Sequence, residues 1–247
     1  MEVKKIRDLS LITLDEKRTM IIACDSCGGI GGKKGDVLNV PPFYVGKLTA
    51  RVVLLEVICS GAEVITITNT ICNEMNNTGL EIIKGIKEEL READIRDVVL
   101  TGSTEENFET SSTALGVTAV GIAVTESLKV NSIKGEAVII SVGIPKVGDE
   151  INLEGDEEIV NYETVYKLLH NDFVYEIVPV GSKGIAYEAG QLAVNNNLKL
   201  YMENKCSIDI EKSGGPETSV IAAVDLGGIE DILANISGVT IIGYLKS

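Results

Sequence analysis

Tryptophan is absent from this chain of 247 residues, phenylalanine occurs three times and histidine once. With so few aromatics, the interior has to be built from Ile, Val, Leu and Ala, which suits a strand-rich α/β or α+β architecture. The one histidine, His170, falls at the end of a predicted helix, where it serves better as a favourable C-terminal charge than as a catalytic base, and no Ser-His-Asp arrangement assembles around it. Basic residues are also short: 22 Lys and Arg against 37 Asp and Glu leave a net charge of −15. That balance argues against non-specific nucleic-acid binding, which rests on cationic side chains neutralising phosphates. No apolar run approaches the length that spans a bilayer, and Met1 to Asp8 has no apolar signal core behind it. A cytoplasmic protein with no membrane partner is the expectation. The five cysteines are odd in number and scattered, so reduced thiols are expected. Cys24 and Cys27 form a C-x-x-C, but glycines follow where a redox pair would open a helix, and zinc would need two further ligands.

What the chain does have is a glycine loop bearing carboxylates and lysines, from Cys24 through Asp25, Gly28, Gly29, Gly31, Gly32, Lys33 and Lys34 to Asp36. Thr19 to Ala23 reads as a buried strand that delivers Asp25 to its C-terminal end. Glycines let backbone N–H groups approach anions; with Lys33 or Lys34 they could hold a polyphosphate, while Asp25 and Asp36 could hold the magnesium that screens it. The acidity of the chain fits such a magnesium-bearing ligand better than a naked phosphate. The loop matches neither the P-loop nor the dinucleotide fingerprint, and a flexible turn with solvated charges is the other reading of it.

Pro41-Pro42 turns the chain into a helix predicted over Phe43 to Ser60, apolar nearly all round and stopped by Gly61. Glu56 sits inside it, and needs a partner: a salt bridge to Arg51, a solvated face, or a metal or substrate contact. Glu63 to Thr70 alternates as a strand. Thr78 is the expected cap of a helix with Glu81 at the capping-box position and Ile82, Ile83, Ile86 and Leu90 along one face. A strand over Val98 to Thr101 then ends in the turn Gly102 to Asn107, which carries Glu105 and Glu106. Two acidic strand ends plus Glu56 make a plausible shared metal site. A strand over Thr118 to Thr125 completes the first half. In the second half, strands are expected over Ala137–Val142, Val174–Val180, Leu198–Tyr201, Val220–Val224 and Val239–Tyr244, with helices over Tyr162–His170, Ile185–Val194 and Ile229–Asn235. The polar loop Asp209 to Thr218 is either a substrate-binding loop or a connection.

The order of these signals between Ile21 and Ala123 resembles the superfamily of aminoimidazole ribonucleotide synthetase, thiamine-monophosphate kinase, selenophosphate synthetase and the hydrogenase-maturation dehydratase. The resemblance implies an α+β protein with two domains, residues 1–130 and 131–247. The first would be an N-terminal mixed sheet with helices on one face, contributing to a dimeric β-barrel; the second, a smaller C-terminal α/β domain. It implies ATP and Mg2+ as cofactors, a small-molecule substrate and a homodimer. Carried over by position, Asp25, Asp36, Glu56 and Glu105 would hold metal. Asp25, Glu105 and Glu106 would serve catalysis. Gly28, Gly29, Gly31, Gly32, Lys33, Lys34 and Asn107 would bind the nucleotide, and Asn69, Ser213, Gly214 and Gly215 the substrate. Glu56 and Asn69 stand where the family often has Asp, and the acid of the Glu105 turn is displaced by one residue. Within the superfamily the chain looks most like a short branch of α-ribazole kinases, on Ala23–Gly31, Gly102–Asn107, Val180–Gly184 and Lys212–Pro216. An ATP-dependent small-molecule kinase is the activity implied; the alternatives are an ATP-dependent synthetase or ligase and a non-catalytic Mg-ATP-binding homodimer.

Overall fold

The computed structural model describes residues 2–247, which divide into two compact units: residues 2–58 with Ala62–Thr125, and Cys59–Gly61 with Glu126–Ser247. The two are nearly equal in length, so the C-terminal unit is not the smaller one expected.

The N-terminal unit begins with two strands that the sequence reading did not anticipate, β1 (Val3–Ile6) and β2 (Leu9–Thr13), an antiparallel pair turned at Arg7, whose φ is 53°. The chain continues through β3 (Arg18–Gly28), the short pieces β4 (Ile30–Gly31) and β5 (Leu38–Asn39), helix α1 (Pro42–Cys59), β6 (Glu63–Ile71), helix α2 (Leu80–Glu92), β7 (Val99–Thr104) and β8 (Ala114–Val124). Six strands make one sheet in the order β1-β2-β3-β8-β6-β7, mixed because β6 and β7 run parallel while every other pair is antiparallel. The sheet is open, with β1 and β7 at its edges; the described residues close no barrel.

Both helices lie on one face of this sheet. Ile21, Ala23, Val117, Ala119, Ile67 and Ile71 point that way and are buried with Val53, Leu54, Val57 and Ile58 of α1 and Ile82, Ile86 and Leu90 of α2. The helices cross at backbone contact: a Cβ on Gly85 would stand 1.8 Å from the Phe43 carbonyl oxygen, and one on Gly46 would stand 2.1 Å from that of Ile82. Arg51 of α1 pairs with Glu89 of α2 at 3.6 Å, both buried. Glu56, on the same helix as Arg51, is half-buried. α2 also starts later than its expected cap. A π turn over Met75–Gly79 precedes it, and Thr78 bonds to the Glu74 side chain instead of capping the helix.

The opposite face of the sheet carries no helix of this unit. Register places Val3, Ile12, Met20, Ile122, Ile22, Val120, Thr66 and Val99 on it, followed by Cys24, Thr118, Thr68 and Thr101, then Ser26, Gly116, Thr70 and Ser103. One end of the face is thus apolar and the other is hydroxyl-rich.

The C-terminal unit holds β9 (Ala137–Val142), helix α3 (Tyr162–Leu169), β10 (Val174–Pro179), helix α4 (Gly184–Asn195), β11 (Lys199–Met202), β12 (Val220–Asp225), helix α5 (Ile229–Asn235) and β13 (Val239–Lys246). Its five strands form an antiparallel sheet in the order β10-β12-β9-β13-β11, and central β9 is buried along its whole length. The apolar face of α4 (Ile185, Ala189, Leu192) packs on Ile139, Val178, Ile221 and Ile242. No described helix is long and apolar enough to cross a membrane.

Candidate functional site

β3 runs five residues beyond the predicted strand because β8 pairs with it from Arg18↔Val124 through to Gly28↔Ala114. Asp25 is therefore inside a strand, opposite Val117, on the helix-facing side where Ile21 and Ala23 are core. Burial, joined by the nearby Asp8 carboxylate, pushes the Asp25 carboxyl up against the opposing Ser26 N–H. Cys27 shares that side, within hydrogen-bonding reach of Thr49 on α1, and burial pushes its thiol up. Cys24 projects to the other face, since side chains alternate along a strand. The C-x-x-C therefore makes no pair, and all five cysteines are free thiols.

The glycine loop begins only after Gly28, the exposed last residue of β3. Asp36 organises it. Its two oxygens accept from Lys33 N–H (2.8 Å), Ser112 Oγ (2.7 Å), Thr113 N–H (2.6 Å) and Thr113 Oγ1 (2.7 Å), fastening the loop to the segment before β8. Burial alone would raise this carboxyl; the four hydrogen bonds outweigh it and bring it to about 2. Gly31 is required where the loop meets Thr113: a Cβ there would stand 2.1 Å from Thr113 Oγ1, and its φ of 157° adds to the constraint. Several loop N–H groups already have protein acceptors: Gly29 donates to Thr113 O, Gly35 to Ser111 O and Val37 to Gly29 O. Gly32 and Lys34 are exposed. Lys33 is half-buried and its Nζ meets Glu74 Oε2 at 2.5 Å. Glu74 is held by this lysine and by Thr78 Oγ1 at 2.6 Å, and these bonds overcome burial to bring its carboxyl to about 2.

The second acidic segment is also straighter than expected. Gly102, Ser103 and Thr104 belong to β7, paired with Asn69, Thr70 and Ile71 of β6, so the turn starts at Glu105. Glu105 Oε1 accepts the Asn107 N–H (2.7 Å), and its own N–H donates to Asn73 O (3.1 Å). Glu106 Oε1 accepts from Met75 N–H and Thr104 Oγ1, both at 2.8 Å. Asn69 is buried at the strand end, its amide donating to Thr101 O at 3.3 Å. Beside it opens a cavity of about 250 Å³ lined by Asn69, Met75, Ile83, Lys87 and Leu100–Thr104. Met75 and Lys87 are not among the residues the sequence singles out, and it marks Ile83 only as part of the apolar face of α2. Their one signal was the i, i+4 spacing of Ile83 and Lys87, which puts an apolar residue and a cation on one stripe of α2.

The structure thus brings Lys33, Asp36, Glu74, Glu106, Asn69 and the end of β7 into one linked region. It does not gather Asp25, Asp36, Glu56 and Glu105 into a common centre: among the described residues no three His, Cys, Asp or Glu side chains stand together as a metal site. The hydrogen-bonded Asp36 carboxylate fits a loop clasp, and the half-buried, acid-flanked Asp25 is the better match to a cation. Ser213, Gly214 and Gly215 belong to the C-terminal unit. There Gly214 N–H donates to Gly181 O (3.0 Å), tying the loop to the segment ahead of α4. His170 ends α3 with Nδ1 2.8 Å from Tyr166 O, a helix-terminal role.

Two α+β units, the first a six-stranded sheet with its helices on one side and a clasped glycine loop at one end, define the architectural class. Residues 7–123 match the family model described as AIR synthase related protein, N-terminal domain. The match spans just under half of the chain and lies within the N-terminal unit. Solved structures share the fold of both units. T. maritima PurL complexed with ATP superposes with a TM-score of 0.70 at 15% identity, over 99% of this chain and 43% of that one. HypE in complex with ATP gives 0.66 at 16%, over 92% and 77%. Thiamine monophosphate kinase from Aquifex aeolicus gives 0.66 at 15%, over 99% and 90%. The chain spans less than half the length of the PurL chains it matches. No curated protein matches it in sequence.

Proposed function

We propose that the protein is an ATP-dependent small-molecule phosphotransferase of the cytoplasm, with Mg-ATP bound at the end of the N-terminal sheet that carries the glycine loop. The observation that carries this reading is the ion pair from that loop, Lys33–Glu74, to the residue that directly precedes Met75 in the lining of the β7 cavity. Apolar Met75, Ile83 and Leu100 suit a flat base, Lys87 and the loop lysines suit phosphates, and Asp25 is the acid best placed to meet the magnesium that travels with the nucleotide. Glu105, Glu106 and Asn107 lie at the same strand end as Gly102–Thr104. Phosphoryl transfer asks a protein for positioning and charge neutralisation more than covalent chemistry, and these parts supply both. The two ATP-complexed neighbours, PurL and HypE, support the nucleotide. The kinase among the neighbours supports transfer to an acceptor, for which the sequence resemblance suggests the ribose hydroxyl of α-ribazole. Ser213, Gly214 and Gly215 are the substrate-side candidates.

The test incubates the protein with Mg-ATP and a panel of ribosides and vitamin precursors, followed by mass spectrometry. Acceptor-dependent ADP and a gain of one phosphoryl group on α-ribazole are expected. Conversion of thiamine monophosphate with no change in α-ribazole overturns the acceptor. Phosphate release with an amide substrate selects the ligase reading, and Mg-ATP binding without turnover selects the non-catalytic one.

A further inference from the structure

Lys33 and Glu74 join the glycine loop to the turn that opens α2, and each is braced from its own side. Asp36 accepts the Lys33 N–H and is itself fixed by Ser112 and Thr113. Thr78 Oγ1 holds one Glu74 oxygen, and the Glu74 carbonyl accepts the Gly79 N–H at 2.9 Å. Glu74 directly precedes Met75, which lines the cavity and whose N–H is fixed by Glu106. Both side chains remain partly exposed, 21% and 34%, so a dissolved anion can reach the pair. A phosphate oxygen approaching Lys33 Nζ meets the Glu74 carboxylate at contact distance, and like charges so close repel.

We propose that Glu74 is a placeholder: its carboxylate occupies on Lys33 the position of a ligand phosphate, pins the glycine loop to the turn that opens α2, and is displaced when a polyphosphate chain binds. This rests on the reading that the same end of the sheet binds Mg-ATP. Glu74 is then a positioning residue, opposing phosphate at Lys33 and having no effect on a ligand that lacks phosphate.

The test titrates tripolyphosphate and adenosine, without metal, and then Mg-ATP, into wild type, Glu74→Gln, Lys33→Met and the double variant by calorimetry. Removing the competing carboxylate of a partly exposed pair should tighten tripolyphosphate binding about fivefold. Adenosine affinity should stay unchanged, and the gain should vanish in the Lys33→Met background. Wild type that binds Mg-ATP, with Glu74→Gln binding tripolyphosphate no more tightly, overturns the placeholder alone. So does Glu74→Gln losing Mg-ATP affinity without that gain, which marks Glu74 as a ligand of the travelling metal. Wild type that binds neither tripolyphosphate nor Mg-ATP overturns the nucleotide reading and this proposal together. Should Glu74→Gln fold poorly, Glu74→Asp, which draws the carboxylate back by one methylene, must give a smaller gain of the same sign.

Discussion

Asp36 and Asp25 are both carboxylates near a glycine loop, yet their surroundings assign them different work. Asp36 has its oxygens filled by donors from Lys33, Ser112 and Thr113. Asp36→Asn should therefore destabilise the N-terminal unit by about 2 kcal/mol, read as a shift in denaturant midpoint, because an amide puts a donor where a donor already points. The loss is pH-dependent. The Asp36 carboxyl lies near 2 in the folded protein against an ordinary 3.8, so its contribution is complete above the ordinary value and fades as pH falls toward 2. The melting-temperature gap between wild type and Asp36→Asn should accordingly close between about pH 5 and pH 2; a gap that stays constant there would remove Asp36 from the clasp. Asp25 shifts the other way, pushed up by burial and by Asp8, so neutralising it relieves a charge. Asp25→Asn should keep the fold and abolish Mg-ATP binding in equilibrium dialysis; undiminished binding takes Asp25 out of the site.

Elements explain both what was legible in the sequence and what was not. The ends of β9 and α5 coincide with the expected Ala137–Val142 and Ile229–Asn235: β9 is an apolar run between Glu136 and Gly143, and α5 follows Gly227-Gly228 and stops ahead of Ser237-Gly238. β3 and β7 outran their predictions, since Cys24-Asp25-Ser26 and Gly102-Ser103 have poor strand propensity and are extended by ladder pairing with β8 and β6. That pairing links residues far apart in sequence, as does the Asp36 clasp to Thr113, and a single sequence offers no sign of it. β1 was hidden by Lys4 and Lys5, both exposed on an edge strand with one on each face, which break its apolar alternation. Gly85 was legible as a glycine in a helix, but its reason is tertiary: the α1 backbone passes where a side chain would be. Gly85→Ala should cost about 3 kcal/mol in chemical unfolding, well beyond the small gain that alanine brings to a solvated helix. A neutral or stabilised variant would show that α1 and α2 can part without loss.

For the whole molecule, the helix-free face of the N-terminal sheet is where the proposed homodimer can be tested. Val3, Val99 and Val124 are 62%, 64% and 57% exposed there, and Met20, Ile22, Val120 and Ile122 are half-buried between them. A monomer rarely leaves so continuous a β-branched surface to water, and a second copy laid face to face would cover it, as two packed sheets do. The apolar rows lie toward Arg18 and Val124, while the hydroxyl rows of Thr68, Thr118, Thr70 and Ser103 lie toward Gly28 and the glycine loop. A dimer closed over the apolar rows would set the polar rows, and Cys24 among them, beside the proposed nucleotide end. Val120→Glu places a charge in the middle of the apolar rows on the central strand pair. Sedimentation velocity should find wild type at twice the chain mass and Val120→Glu at the chain mass, with the variant's circular dichroism unchanged because the side chain already faces away from the core. Wild type sedimenting as a monomer at micromolar concentration would sink the homodimer. A variant that stays dimeric would move the interface off this face.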